Sequence, residues 1–413
     1  IGLITDNFQK ILSELQKNKI FPLLLNQVAS AGRVNLVVSD NQVDKVKNIV
    51  ETEIFGKVKT VHLVLVGHGN VGSTLIEQIL DSSYDIQNRK RINLKIIAIA
   101  NSKNIVFNKG GFGSDWRQKV LFGSAENTLQ DLYQFVKENQ FENLVLVDNT
   151  ASKDFVKNYP TFVENGFDIV SSNKIFNTLP IQEYRNLRKT LDKNKKRYLY
   201  ETNVGAGLPL IDTIKLLHLS GENITRIKGV FSGSLSYIFN NFSVRDEKFS
   251  TIVKEAMDKG FTEPDPREDL SGNDVARKLL ILARELDLIN EFSDINIQNL
   301  IPENLEGIDK DEFISRLGEL DAEYQFVKEN QEPNHVLRYV GDLHGDLSQD
   351  KGILDVKLVS VPASSALGQL KGSDSIFEIY TESYGENPIV IMGAGAGAKV
   401  TARGVFGDIL RLC

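Results

Sequence analysis

Val61-His62-Leu63-Val64-Leu65-Val66 runs directly into Gly67-His68-Gly69-Asn70-Val71-Gly72. The first six residues predict a buried strand, and Asn70 to Leu80 carries a helical pattern. A G-x-G-x-x-G spacing alone is weak. Between a strand and a helix it has a mechanism, because the glycines let the backbone approach a pyrophosphate seated on the helix N-terminus. Gly67, Gly69, Asn70, Val71 and Gly72 are therefore candidate nucleotide-binding residues. A glycine turn without a ligand is the plain alternative.

Downstream, strands and helices alternate. Leu94 to Ala100, Asn143 to Asp148 and Asp168 to Ser171 read as strands, and Asn127 to Asn139 as a helix. This alternation predicts a parallel, doubly wound sheet. The second strand ends in Ala100-Asn101-Ser102-Lys103. An acid near this point would hold the ribose 2′-hydroxyl of NAD; none is present and a lysine follows, so NADP(H) is favoured over NAD(H). A second glycine-rich turn, Gly393-Ala394-Gly395-Ala396-Gly397-Ala398, lies between a strand (Pro388 to Met392) and a helix (Val400 to Leu412). Either it is a close-packed turn, or the C-terminal helix returns to the nucleotide domain and closes over the cofactor.

From about residue 205 the pattern is mixed. Helices are expected at Pro209 to Leu217, 248 to 259 and 273 to 286, and a strand-rich part from Glu323 to Val390. Ahead of the sheet, Asp6 to Lys19 and Asn41 to Phe55 read as helices. Phe21 to Ala29 and Val34 to Ser39 read as strands around the turn Ser30-Ala31-Gly32-Arg33. Helix, strand, strand, helix is part of a ferredoxin-like βαββαβ pattern with its first strand missing.

The 413 residues allow two or three domains. A net charge of −7 gives no basic surface for nucleic acid. No apolar run reaches membrane-spanning length and no leader pattern opens the chain. It begins at Ile1, as expected of a processed or cloned fragment. The single cysteine, Cys413, excludes a disulfide framework and thiol catalysis and fits a reducing compartment, the cytoplasm. His62, His68, His218, His335 and His344 show no metal-ligand spacing.

The chemistry concentrates in Thr262-Glu263-Pro264-Asp265-Pro266-Arg267-Glu268-Asp269-Leu270-Ser271-Gly272-Asn273-Asp274-Val275-Ala276-Arg277-Lys278. Asp274 and Lys278 are four apart and share a helix face, and Leu279, Leu280, Leu282 and Ala283 pull that helix into a core. A lysine beside carboxylates on a buried helix is costly unless it is used. Ser271 to Asp274 also has capping-box spacing, which gives Asp274 a structural alternative.

This signature, together with Glu201-Thr202-Asn203-Val204-Gly205-Ala206-Gly207-Leu208-Pro209, Gly233-Ser234-Leu235-Ser236-Tyr237-Ile238, Asn101-Ser102-Lys103 and the terminal glycine turn, resembles homoserine dehydrogenase. The resemblance runs from about residue 60 to 413. Residues 1 to 56 resemble the end of an ACT regulatory domain, of the sort that joins aspartokinase to that enzyme. The resemblance implies an α/β chain: a Rossmann-type sheet over 57–200, completed by 391–413, an α+β substrate-binding and dimerisation domain over 201–390, and a partial ferredoxin-like ACT unit over 1–56. It implies reversible NAD(P)H-dependent reduction of L-aspartate 4-semialdehyde to L-homoserine. It also implies a homodimer or larger homo-oligomer, and an aspartokinase module in the full-length chain.

Lys278 and Lys174 match the family's active-site lysines. Glu263, Asp269 and Asp274 match acids that hold substrate, with orientation of Lys278 a second role for Asp274. Thr150 resembles a threonine beside the nicotinamide; Ala100 and Gly397, with Lys174, join the cofactor-binding set. Glu201, Val204, Ala206 and Leu208 resemble a monovalent-cation site, for Na⁺, built largely from carbonyls. Aspartate-semialdehyde dehydrogenase is excluded by the lack of a placed cysteine nucleophile. A catalytically silent, ligand-sensing or dimerisation module is the competing reading, and would bind nucleotide without turnover.

Overall fold

A computed structural model describes residues 2–4, 8–18, 20–28, 33–56, 58–123 and 127–413. The first unit comprises β1 (Gly2–Ile4), α1 (Phe8–Lys17), β2 (Leu24–Val28), β3 (Arg33–Val37) and α2 (Val43–Ile49), which runs on as a π-helical turn at Val50–Ile54. Its sheet has the order β1-β3-β2. The strand expected to be missing is therefore present: Gly2–Ile4 pairs antiparallel with β3. Three residues are too few to show a period of two, so sequence patterning passes over them. Residues 30–32 of the expected turn lie outside the described residues. Ile11, Leu15, Val34, Leu36 and Val46 form a small core of this unit's own.

The second sheet is built from β4 (Lys59–Val66), α3 (Asn70–Lys90), β5 (Ile92–Ala100), β6 (Ile105–Phe107), α4 (Trp116–Phe122), α5 (Leu129–Glu138), β7 (Leu144–Asp148), α6 (Tyr159–Glu164), β8 (Phe167–Ser171), α7 (Ile181–Asn194) and β9 (Tyr198–Leu199). Its order is β6-β5-β4-β7-β8-β9. All neighbours are parallel except β6, which is antiparallel to β5. β7 is buried along its whole length because helices cover both faces, which is why parallel strands read as unbroken apolar runs. The chain leaves β4 for β5 on one side and reaches β7 on the other, and this switch opens a crevice at the carboxyl ends of the strands.

The remainder adds α8 (Leu210–Leu219), β10 (Ile224–Val230), α9 (Gly233–Phe242), α10 (Phe249–Asp258), α11 (Arg267–Leu270), α12 (Asn273–Glu285), β11 (Ile295–Ile297), α13 (Glu303–Glu306), α14 (Lys310–Arg316), α15 (Asp321–Glu329), β12 (His335–His344), β13 (Ile353–Pro362), β14 (Ser375–Thr381), β15 (Ile389–Gly393) and α16 (Ala398–Leu412). The strands make a mixed sheet of order β11-β13-β12-β10-β14-β15. The expected strand-rich segment starts later than read, because α15 occupies its first residues. α16 leaves this sheet and packs beside α3, with Ala402, Val405, Phe406 and Ile409 in one core with Leu75, Ile76 and Val147.

Candidate functional site

The glycine turn has the geometry its sequence predicts. Gly67 has φ +85°, and a β-carbon there would stand 2.8 Å from the Thr150 methyl. A β-carbon on Gly72 would lie 1.9 Å from the Gly67 carbonyl oxygen, so only glycine lets α3 start this close to β4. Gly69 is different: nothing lies within 4 Å of where its β-carbon would be, and it immediately precedes α3. The open backbone at a helix N-terminus fits a diphosphate. Asn70 and Val71 form the first turn of that helix.

Two cavities open along the strand ends. One, of 510 Å³, is lined by Val66, Ala100, Asn101, Ser102, Lys103 and Thr150, among others. The other, of 830 Å³, is lined by residues including Thr150, Ser172, Asn173, Lys174, Asp274 and Arg277. Thr150, Ala151 and Asp154 belong to both, so Thr150 stands where the two meet. Gly397, at φ +117°, precedes α16, and Gln78 of α3 donates to the neighbouring Lys399 carbonyl at 3.1 Å. The terminal glycine turn thus sits beside the nucleotide helix.

Lys174 follows β8, Asp274 and Lys278 lie on α12, and the fold joins all three. Lys174 Nζ is 2.9 Å from Asp274 Oδ1, and Lys278 Nζ is 2.8 Å from Asp274 Oδ2. One carboxylate bridges two ammonium groups. Burial opposes its charge, but the two lysines outweigh burial and hold its pKa well below the usual range. Lys278 also donates to the Phe231 carbonyl at 2.7 Å. Its ammonium has three N–H donors, so two are committed and one is free. Its side chain is 12% exposed, and burial lowers its pKa, with Asp274 acting in the opposite sense. A lysine of lowered pKa is the better proton donor near neutrality.

The capping-box alternative for Asp274 is not what forms. Gly272 is the N-cap of α12, at φ +73°, with no side-chain cap bond. A β-carbon there would meet the Tyr339 hydroxyl at 2.1 Å. The turn is fixed by backbone shape, leaving Asp274 free for the lysines.

Asp269 and Glu263 adjoin this centre but differ in engagement. Asp269 accepts from the Ser234 hydroxyl at 2.6 Å and from the Glu263 amide at 2.8 Å. Burial raises its pKa. Its oxygens therefore hold the loop, whereas the Glu263 residue is exposed. Asp265 pairs with Arg267 at 2.7 Å, and Arg267 also donates to the Ile308 carbonyl at 2.6 Å, which makes that pair a structural brace.

Two buried residues that sequence reading missed align the cleft wall. Asp148, fully buried at the end of β7, accepts from the Thr150 amide at 2.8 Å, the Tyr159 hydroxyl at 2.7 Å and Asn173 Nδ2 at 3.2 Å. Asn173 also accepts from the Ile175 amide at 3.0 Å, so its side chain pins both neighbours of Lys174 in place. A carboxylate inside an otherwise apolar strand run was the available signal.

At the expected cation site, Glu201 uses both carboxylate oxygens on the amides of Ile211 and Asp212, at 2.7 and 2.9 Å. The side chain therefore caps α8. Gly205 and Ala206 are consecutive left-handed residues, at φ +78° and +52°, folding the 204–208 backbone into a tight loop. The Leu208 carbonyl accepts from the Leu210 amide at 2.9 Å. Among the described residues, no group of three or more His, Cys, Asp or Glu side chains is placed to hold a metal ion.

Comparison with known proteins bears on this geometry. The model of the homoserine dehydrogenase NAD-binding domain matches residues 67–201, and that of homoserine dehydrogenase matches residues 209–410. Homoserine dehydrogenase of Schizosaccharomyces pombe is 35% identical over 85% of this chain and 95% of its own length. The chain belongs to the homoserine dehydrogenase family. Members are NAD(P)-dependent oxidoreductases. The bifunctional aspartokinase/homoserine dehydrogenase of Buchnera aphidicola is 39% identical over 97% of the chain. The chain spans about half the length of that relative, 49%. A Candida auris crystal structure, of a protein of unknown function, superposes with a TM-score of 0.77 at 34% identity, covering 86% of this chain and 98% of that one. A hyperthermophilic archaeal homoserine dehydrogenase in complex with NADPH shares the fold, with a TM-score of 0.65 at 23% identity over 86% of this chain and 97% of that one.

Proposed function

We propose that the chain reduces L-aspartate 4-semialdehyde to L-homoserine, reversibly, with NADPH preferred over NADH. The observation that carries this reading is the Lys174–Asp274–Lys278 bridge beside Thr150, at the mouth of a dinucleotide turn. When bound over Gly67, Gly69 and Gly72, the nicotinamide cofactor supplies the hydride. Ala100, Thr150 and Gly397 border its path. Lys103 at the end of β5, where NAD-preferring folds place an acid, supports a 2′-phosphate.

The remaining work falls to side chains. As the aldehyde oxygen gains charge, Lys278 gives it a proton through its free N–H, and Lys174 shares the charge. Asp274 holds both ammonium groups in position. Glu263 takes the substrate ammonium, with Asp269 fixing the loop behind it. The carbonyls of Val204, Ala206 and Leu208, with Glu201 at the start of the loop, hold a monovalent cation; Glu201 contributes backbone, since its carboxylate is committed to α8.

We further propose that the chain is the C-terminal part of a bifunctional aspartokinase–homoserine dehydrogenase, acting in the cytoplasm. The fission-yeast and Buchnera matches differ in coverage by about the size of the N-terminal unit, which supports this placement. Homodimerisation is supported by edge strand β15, where Val390 and Met392 are 44% and 58% exposed. The test is NADPH oxidation at 340 nm with aspartate semialdehyde. Turnover in the wild type, reduced by about 10²–10⁴-fold in Lys278→Ala, is expected. A folded protein that binds NADPH without turnover would establish the silent-module reading instead.

A further inference from the structure

Behind the lysine centre lies a separate cavity of 710 Å³, between α7, α8 and α12. The reaction proposed above uses none of its lining. Arg185, Arg188, Lys215 and Arg284 face it, against the carboxylates of Glu285 and Asp287. Glu285 is spoken for: it accepts from the Tyr200 hydroxyl and lies 3.4 Å from Lys215. Asp287 is 3.0 Å from His218 and 89% exposed, so solvent screens it.

Among these groups the Arg188 guanidinium is under-used. Arg188 makes its hydrogen bonds from Nη2 alone, to the Tyr184 and Tyr200 hydroxyls at 3.1 and 2.7 Å and to Asn177 Oδ1 at 3.3 Å. None of these acceptors is a carboxylate. The group lies 4.5 Å from the Tyr184 ring centroid and 5.0 Å from that of Tyr200, which fixes its plane. Arg284 is committed elsewhere: its side chain is 1% exposed, its Nη1 donates to the Asn177 carbonyl at 2.6 Å and its Nη2 pairs with Glu291 at 3.3 Å, so it adds positive charge to the wall without offering a donor. Arg188 thus keeps its Nη1 and Nε free of any carboxylate, and those are the donors an incoming anion would meet.

We propose that this cavity is a second binding site, for a small organic anion carrying at least two negative charges on carboxylate or phosphate oxygens. A pre-oriented guanidinium fork suits either oxygen set. The rings of Tyr184 and Tyr200 against Arg188 hold the guanidinium plane fixed before a ligand arrives. The inference is independent of the reaction assigned above.

The test is calorimetric titration of citrate and, separately, pyrophosphate into protein saturated with NADP⁺, at constant ionic strength. Saturation keeps the probe off the diphosphate turn. Binding of one probe molecule per chain is expected, weakened at least tenfold in Arg188→Gln and in Lys215→Gln. Citrate alone binding would identify carboxylate as the ligand chemistry, pyrophosphate alone phosphate; both support the site. Lys215 is 36% exposed, so its variant keeps the test open if Arg188→Gln does not fold. Binding of neither probe, or binding unchanged in the folded variants, would overturn the proposal.

Discussion

Asp274 is the residue on which the proposed chemistry turns, and its role differs from that of either lysine. Its charge raises the pKa of Lys278 against burial. In Asp274→Asn that support is gone, so Lys278 loses its proton at lower pH. The alkaline limb of the pH profile for aldehyde reduction should move down, together with a fall in kcat, and rate measurements across pH read both. A residue needed only for folding would lower the amount of active enzyme and leave the profile in place. The same carboxylate affects stability. Its folded pKa is depressed, so its contribution is complete above the unfolded value of about 3.9 and is lost as pH falls through the lower folded value. The difference in melting temperature between wild type and Asp274→Asn should therefore narrow as pH falls below about 4. The i,i+4 spacing put Asp274 beside Lys278 and the family resemblance added Lys174 to the same set, but the carboxylate they share was not legible. Lys174 is a hundred residues away in the chain, and only the sheet brings it to the same carboxylate.

At the scale of elements, two glycines of one turn should behave in opposite ways. Gly72→Ala drives a methyl into the Gly67 carbonyl, at 1.9 Å, and should cost about 1–3 kcal/mol in a denaturant unfolding curve. Gly69→Ala meets nothing in the protein. It should unfold like the wild type yet raise the KM for NADPH, because its methyl stands where a diphosphate would rest. The strand-turn-helix was readable because it is local: an apolar run, glycines at fixed spacing and an amphipathic helix lie within twenty residues. The start of α12 at Asn273 was read correctly, but the capping box offered as an alternative for Asp274 does not form, for a related reason. Ser271 to Asp274 has the letters of a capping box, but Gly272 takes a left-handed φ under the Tyr339 hydroxyl, a contact made across 67 positions. The Ser234–Asp269 and Lys278–Phe231 bonds are equally non-local and left no trace in periodicity.

For the molecule as a whole, the sheet that carries the glycine turn is completed by residues from the other end of the chain. Phe406 is 2% exposed in the core shared with β4, β7 and α3. Phe406→Ala should lower the unfolding free energy by about 3–5 kcal/mol and weaken NADPH binding with it, because Val71 of the turn packs against the same core. Arg197 reinforces the closure by donating to the Arg411 and Leu412 carbonyls at 3.0 and 2.5 Å, and Lys59 donates to that of Cys413 at 3.0 Å. This arrangement has a consequence for synthesis on the ribosome. β4 is made more than three hundred residues before α16, so the part of this core that α16 fills stays open until then. During that interval α3 packs on this core without the side chains of Ala402, Val405, Phe406 and Ile409 that complete it. Production of this protein should therefore be unusually sensitive to chaperone supply, and a stall late in translation should leave an aggregating product rather than a shorter, working one.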